Sequence, residues 1–233
     1  MENELIIYHG SQQIIKKPQF GAGKTYNDYG QGFYCTESAE LAKEWACPVK
    51  NDGYLNKYLM RLDGLNVMHL NKGEFNILNW MAVLLKNRKF DITSPLGSRA
   101  REFIISRFTP DTENVDVMIG YRADDSYFSF AEDFVNNVIS LRDLERAMHL
   151  GTLGEQVVLI SERSFGQIEF LGHENADYQE YYFKRAERDR KAREAYASQK
   201  KNLQQLLNDI FVLDIMREDM KKDDPRLQSA VSG

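Results

Sequence analysis

The chain has 233 residues, 42% of them hydrophobic and 12% aromatic, which is typical of a globular protein with a sizeable core. Its net charge of -5 gives no overall attraction to nucleic acid, although a local basic patch is compatible with it. Two cysteines, Cys35 and Cys47, exclude a disulfide framework and a four-thiolate zinc site, and we expect both to be small buried residues in a reducing compartment.

The first element is a short buried strand, Leu5 to Tyr8, closed by His9-Gly10-Ser11. Residues 1–8 are acidic and too short for a signal peptide, and no apolar run in the chain approaches the ~20 residues of a membrane span. We therefore expect a soluble protein of the cytoplasm that has no contact with membrane.

Residues 16–32 are dense in glycine, proline, asparagine and aspartate, which predicts a loop. Glycines in such a loop allow the close backbone approach that a ligand needs. A second short strand follows at Phe33 to Thr36, and Glu37 or Ser38 can cap a helix over residues 39–46.

Further along, residues 58–62 and 65–70 alternate like strands, and Asp63-Gly64 between them predicts a turn. The apolar stretch 75–85 is too long for one strand and predicts a buried helix. Residues 115–119 predict a central strand. The remaining predictions are helices over 128–138 and 141–150 and strands over 156–160 and 167–170.

The composition changes after Gly172, since residues 176–224 contain neither glycine nor proline and are rich in charge. This predicts a helical extension of one or two helices, with an apolar stripe at Leu203, Leu206, Leu207, Ile210, Leu213 and Ile215. The basic run 184–193 is interleaved with acids, which favours a solvated face with i,i+4 pairs over a nucleic-acid contact. We interpret the apolar stripe as a surface that packs onto the preceding domain, in preference to a site for a coiled-coil partner.

Common catalytic signatures are missing from the sequence. It has no dinucleotide-binding or phosphate-binding glycine motif, no nucleophile elbow, and four scattered histidines without a zinc pattern. We therefore predict no metal site, and the first two strands remain the main indication of function.

Several motifs occur in a fixed order over residues 5–171. They are Tyr8-His9-Gly10-Ser11; Asp28-Tyr29-Gly30-Gln31-Gly32-Phe33-Tyr34-Cys35-Thr36; Trp45-Ala46; Ile77-Leu78-Asn79-Trp80; Asp116 to Asp125; and Gln156-Val157-Val158. Together they resemble an uncharacterised bacterial family of the ADP-ribosyltransferase superfamily, in its His-Tyr branch, the diphtheria-toxin and PARP-like group. The resemblance does not cover the helical tail.

The resemblance implies an NAD pocket. His9 would hydrogen-bond a ribose, Gly10 would clamp the nicotinamide amide through its backbone, and Tyr34 would stack on the nicotinamide ring. Ser11 and Thr36 would supply hydroxyls beside the pocket, and Gly32 and Phe33 belong to the same motif. Without the second motif, the preferred interpretation of His9 is a strand-end histidine bonded to backbone, and the alternative for Tyr34 is an ordinary core tyrosine.

The superfamily usually carries a catalytic glutamate where this chain has Gln156, with Glu155 just before it. Glutamine can hydrogen-bond a ribose hydroxyl, but it cannot act as a general base and carries no charge. Adjacent strand residues face opposite sides, so the two cannot both face a pocket without a bulge, and Glu155 stays the alternate to Gln156.

Other polar residues allow two interpretations each. Asp124-Asp125 follows a strand and either completes the site or caps the helix after it. Asp28 either meets a ribose or forms a turn. The cluster Arg99, Arg101 and Arg107 contacts a pyrophosphate or a nucleic-acid acceptor, or is simply solvated.

The resemblance thus predicts an α+β domain over residues 1–174 with a split, antiparallel-rich sheet, and the composition predicts a helical extension over 175–233. It implies transfer of ADP-ribose from NAD to a protein or nucleic-acid acceptor, as in a bacterial toxin or phage-defence effector, with an antitoxin as a further partner. Two alternatives remain open at this point: an inactive NAD sensor, and an interaction module that acts through its tail.

Overall fold

The computed structural model of the protein describes residues 3–123, 125–150, 154–201 and 208–229. The architecture is mixed α+β, with antiparallel-rich sheets and helices packed around them. The strands are β1 (Glu4–Ser11), β2 (Phe33–Cys35), β3 (Gly53–Arg61), β4 (Val67–His69), β5 (Val117–Tyr121), β6 (Glu155–Leu159) and β7 (Ile168–Ala176). The helices are α1 (Ala39–Ala46), α2 (Ile77–Asn87), α3 (Pro95–Phe108), α4 (Asp125–Val135), α5 (Leu141–Met148), α6 (Glu162–Gly166), α7 (Tyr178–Lys201), α8 (Val212–Arg217) and α9 (Pro225–Ser229).

The described strands form two sheets that meet at one pair of residues. One sheet has the order β1-β3-β7 and the other the order β2-β6-β5-β4, and only β4 and β5 pair in parallel. Tyr8 of β1 and Thr36, which follows β2, exchange two backbone hydrogen bonds of 2.8 and 2.9 Å. This bridge places the end of β1 beside β2.

The turn predicted at Asp63-Gly64 is confirmed, but the strands on either side of it do not pair with each other. Strand β3 has β1 on one edge and β7 on the other, so it has no free edge for the next strand. The chain turns at Gly64, whose φ is 71°, and continues into β4, which pairs with β5 in the other sheet. The dipeptide makes a turn, but the turn connects the two sheets.

Most predicted helices are confirmed. Helix α1 begins after Ser38, whose hydroxyl accepts a hydrogen bond from the backbone N–H of Leu41. Helix α2 is the predicted apolar helix and is buried over Ile77–Leu85, where it fills the main core. Helix α3 was not predicted, although Ser94 caps it and Pro95 is its first residue.

The tail packs on the same core as the residues before it. Tyr196 of α7 and Ile215 of α8 belong to the buried cluster that contains Trp80 of α2. The predicted stripe positions Leu203, Leu206 and Leu207 lie outside the described residues. Tail residues therefore complete the main core.

Two expectations from composition can be compared with the structure. Cys35 and Cys47 are both buried and free, as predicted. Among the helices of the described ranges, none combines the length and the hydrophobicity needed to cross a membrane.

Candidate functional site

A cavity of about 690 Å³ lies beside the bridge between the sheets. Its walls come from the end of β1, the loop of residues 12–32, β2, β6 and α7. Seven residues predicted for the site line it: His9, Gly10, Asp28, Gly32, Phe33, Tyr34 and Gln156. A volume of this size is typical of small-ligand pockets.

The loop of residues 12–32 contains neither helix nor strand, yet side chains of the fold anchor it. The buried amide of Asn56 on β3 accepts from the N–H of Ile15 at 2.8 Å and donates to the carbonyl of Gln13 at 3.1 Å. Gln31 donates to the carbonyl of Gly21 at 2.6 Å. Irregular loops of this length are uncommon in compact domains and are usually functional.

His9 is held in one tautomer. Its Nδ1 lies 2.7 Å from the carbonyl oxygen of Tyr34, and because a carbonyl only accepts, Nδ1 carries the proton and donates. The ring stacks on Phe33 with centroids 4.4 Å apart. Burial lowers the pKa of His9 more than this hydrogen bond raises it. The neutral ring therefore offers Nε2 as a hydrogen-bond acceptor.

Gly10 lets α1 lie directly on the end of β1. A Cβ at this position would lie 1.8 Å from the carbonyl oxygen of Ala42 and 2.7 Å from the nitrogen of Ala46. No side chain fits between the strand and the helix. The glycine is therefore required by packing, and its backbone lines the cavity.

The ring of Tyr34 is the part of this residue that can contact a ligand, because the Tyr34 hydroxyl is already hydrogen-bonded within the protein. The hydroxyl donates to the carbonyl of Gly30 at 2.7 Å and accepts from the N–H of Tyr29 at 3.0 Å. Burial raises the pKa of Tyr34, which keeps the phenol neutral. An aromatic face fixed in this way can stack against a flat ligand ring.

Gln156 and Asp28 form a buried polar pair in the cavity wall. The amide nitrogen of Gln156 donates to Oδ2 of Asp28 at 2.8 Å, and the N–H of Ala123 donates to the same oxygen at 3.1 Å. Gln156 is 4% exposed and Asp28 is 7% exposed. The sequence had left Asp28 between a turn role and a ribose contact, and the structure places its side chain on Gln156.

The charge of Asp28 is set by opposing effects. Burial raises the pKa of Asp28, while the donors Ala123 and Gln156 and the guanidinium groups of Arg88 and Arg122 lower it by a smaller amount. The Nε of Arg88 is 3.6 Å from Oδ1 of Asp28. The carboxyl group therefore ionises at a higher pH than a free aspartate.

Glu155, the alternate to Gln156, is not in the cavity wall. Its carboxylate accepts a hydrogen bond from the side chain of Asn71 at 2.9 Å, on the other face of β6. The strand runs without a bulge opposite β5, so neighbouring residues face opposite sides.

Ser11 and Thr36, to which the resemblance assigns hydroxyls beside the pocket, do not line the cavity. The Ser11 hydroxyl donates to the carbonyl of Gln13, and the Thr36 hydroxyl accepts from the N–H of Ser38. Both side chains are used in local turns, which is common for small hydroxyls near strand ends.

The arginines of the cluster predicted on 99–107 do not line the cavity either. Arg101 donates to the carbonyl of Leu85, and Arg107 pairs with Asp219. Asp124 lies outside the described residues, and the structure describes only the backbone of Asp125, where α4 begins.

Sequence reasoning missed the basic side chains that do line the cavity, Arg88, Arg122 and Arg185, and the exposed Lys17 beside them. Arg88 follows α2 and lies 4.5 Å over the ring of Phe128, while Arg122 follows β5 and lies 4.4 Å over Trp45. Their positions after an apolar helix and a central strand were the available signals, because ligand sites often form at such ends.

The basic side chains and aromatic rings of the wall suit an organic anion with a flat ring. In the described ranges no group of three or more histidine, cysteine, aspartate or glutamate side chains could hold a metal ion. Among the described wall residues the basic side chains outnumber the acidic ones, of which Asp28 is the only member.

The fold and site define an α+β protein with a cationic, aromatic cavity at the junction of two sheets. The chain belongs to the family described as protein of unknown function DUF3990, which it matches over residues 5–170. No curated protein and no solved structure matches it. The matched residues contain every described residue of the cavity wall except Arg185.

Proposed function

We propose that the protein binds NAD in this cavity and transfers ADP-ribose to a macromolecular acceptor, protein or nucleic acid. The observation that carries the proposal is that His9 of β1, Tyr34 of β2 and Gln156 of β6 line one cavity. These are the three positions that the resemblance to the ADP-ribosyltransferase superfamily assigns to the ligand. Two antiparallel-rich sheets joined beside the cavity are compatible with the split sheet of that superfamily.

Each group has a matching part of NAD. The ring of Tyr34 stacks on nicotinamide, and the Gly10 backbone lies where the amide would be held. The neutral His9 accepts a hydrogen bond from a ribose hydroxyl through Nε2. The basic side chains attract the pyrophosphate.

In the reaction, the bond between C1′ of the ribose and the nicotinamide nitrogen breaks, and its electron pair neutralises the pyridinium. The positive charge that develops on the ribose is then taken by the acceptor's nucleophile, which binds C1′ and loses a proton. Gln156 contributes an amide oxygen to a ribose hydroxyl, because its amide nitrogen is used on Asp28. The hydrogen bond to Asp28 holds the Gln156 side chain in place, which fixes the direction of that amide oxygen.

The first experiment incubates the protein with NAD labelled in its adenylate part and with bacterial lysate separated into protein, DNA and RNA. We expect release of nicotinamide and label in one fraction. His9→Ala and Tyr34→Ala should lower the rate about a hundredfold, since both position the ligand. The matched controls are His173→Ala and Tyr26→Ala, which change exposed residues outside the cavity wall.

The second candidate is a sensor that binds NAD without turnover, and the uncharged Gln156 is the observation that favours it. Binding of NAD with no release of nicotinamide in any fraction would support the sensor. Absence of both binding and release would exclude both functions. The resemblance to a bacterial family makes a toxin or phage-defence effector the matching role, with an antitoxin as partner.

A further inference from the structure

Helix α7 faces the rest of the protein with one stripe of residues. Tyr181, Arg185, Arg188, Ala192 and Tyr196 follow one another at intervals of three and four, and all five are buried or half-buried. The stripe therefore includes two arginines. The surrounding helix positions are mostly exposed and charged.

Ion pairs hold this stripe on α1. The guanidinium of Arg188 donates to Glu44 through two nitrogens, at 2.5 and 2.9 Å, and both side chains are about nine-tenths buried. Lys184 and Tyr181 both bond Glu40, one turn earlier on α1. Because Trp45 follows Glu44 and lines the cavity, α7 is fixed against the cavity wall.

Arg185 differs from the other arginines of α7. Arg188, Arg190 and Arg193 each have a carboxylate partner on α1 or on α7 itself. Arg185 has neither an ion pair nor a hydrogen bond within the described ranges, although it lies in the stripe and lines the cavity. A half-buried guanidinium without a partner is stabilised strongly by an anion that binds beside it, because the two groups then form charge-assisted hydrogen bonds.

We propose that α7 is a wall of the binding site and that Arg185 binds phosphate oxygens of the ligand there. The planar guanidinium suits a phosphate, which it can contact through two parallel N–H groups. The identity of the ligand as a dinucleotide rests on the proposed function, whereas the anion contact rests on Arg185 itself. Residues beyond the family-matched segment thus contribute to recognition.

The test measures binding of three probes to the full chain by calorimetry: NAD, nicotinamide riboside, which lacks phosphate, and inorganic pyrophosphate. Arg185→Gln should weaken NAD and pyrophosphate about tenfold to a hundredfold, because a hydrogen bond to a charged group is lost. Binding of the riboside should not change. The matched control is Arg193→Gln, which removes the same charge from an exposed position of α7 and should leave all three affinities unchanged.

The milder variant Arg185→Lys keeps the charge and serves if Arg185→Gln does not fold. It should weaken the binding of NAD and of pyrophosphate about threefold to tenfold and leave the binding of the riboside unchanged. Wild-type affinities in either Arg185 variant, or an equal loss for the riboside, would overturn the phosphate contact. Binding of pyrophosphate that depends on Arg185, without binding of NAD or the riboside, would reject the proposed function and keep the anion site. A wild-type chain that binds none of the probes would reject both.

Discussion

The amide nitrogen of Gln156 donates a 2.8 Å hydrogen bond to Oδ2 of Asp28, which joins the start of β6 to the loop between β1 and β2. The two residues are 128 positions apart in the chain and both are buried. Because a buried donor without an acceptor, or an acceptor without a donor, is costly, a change of residue type at either position is unfavourable unless the other position changes too. The identity of residue 156 therefore depends on the acid in the loop.

Gln156→Glu should destabilise the fold by about 1–3 kcal/mol at neutral pH, because two carboxyl groups then meet at hydrogen-bond distance. The combined variant Asp28→Asn with Gln156→Glu restores one donor and one acceptor and should recover most of that loss. Urea unfolding of wild type, the two single variants and the combined variant measures the interaction free energy between residues 28 and 156. Additive effects of the two substitutions would contradict a direct interaction.

Asp28→Asn should change the pH dependence of stability. Burial raises the pKa of Asp28 above 3.8, so the folded state favours the protonated carboxyl. Its stabilising contribution is complete below pH 3.8 and is lost as the pH rises through the folded pKa. The free energy of unfolding of Asp28→Asn relative to wild type should therefore increase with pH across this range. A difference that stays constant would show an unshifted carboxyl.

His9→Asn should have the opposite signature at higher pH. Burial lowers the pKa of His9 below 6.5, so the neutral ring contributes stability above pH 6.5 that is lost as the pH falls through the folded pKa. Wild type should lose stability relative to His9→Asn between pH 7.5 and pH 5, as measured by thermal unfolding. The other histidines are common to both proteins and cancel in the difference.

Gly10→Ala should destabilise the protein by about 3 kcal/mol, since its Cβ would overlap the backbone oxygen of Ala42 and force α1 away from β1. Gly166→Ala is the control, because a Cβ there meets nothing within 4 Å. Denaturant midpoints compare the two. Equal, small effects would mean that the junction of helix and strand adapts easily.

Tyr34→Phe separates the hydroxyl from the ring. Loss of the hydroxyl leaves the buried N–H of Tyr29 without its acceptor and should cost about 1–2 kcal/mol of stability. The ring remains, so NAD affinity should stay close to wild type, whereas Tyr34→Ala should reduce it about tenfold or more. Similar affinities of the Phe and Ala variants for NAD would argue against stacking.

Local signals predicted the elements that carry the site. Ser38 marked the start of α1, and short apolar runs marked β1 and β2. The polar second half of β7 was missed, because a strand such as Gly172–Ala176 has no alternating pattern and owes its pairing to β3. Helix α3 was missed because Gly97 and Ser98 near its start are poor helix formers.

The site residues that lie on strands could be predicted from the sequence, whereas the charged side chains of the cavity wall could not. His9 and Tyr34 stand at strand positions with motif signals, whereas the contact between Asp28 and Gln156 depends on how the loop folds over β6. Arg185 resembles its basic neighbours in sequence. Only its place in line with Tyr181 and Tyr196 distinguishes it, and that periodicity is weak in a helix with few apolar residues.

The docking of α7 has a consequence for how this family can vary. The strands and the loop lie within the family-matched residues, while the outer wall comes from a helix that follows them and is attached by side-chain ion pairs to α1. A relative with another tail could keep the same strand framework and present a different charge in this part of the cavity wall. Ligand preference in such proteins could then evolve by replacing one terminal segment, with the chemistry of the inner wall inherited unchanged.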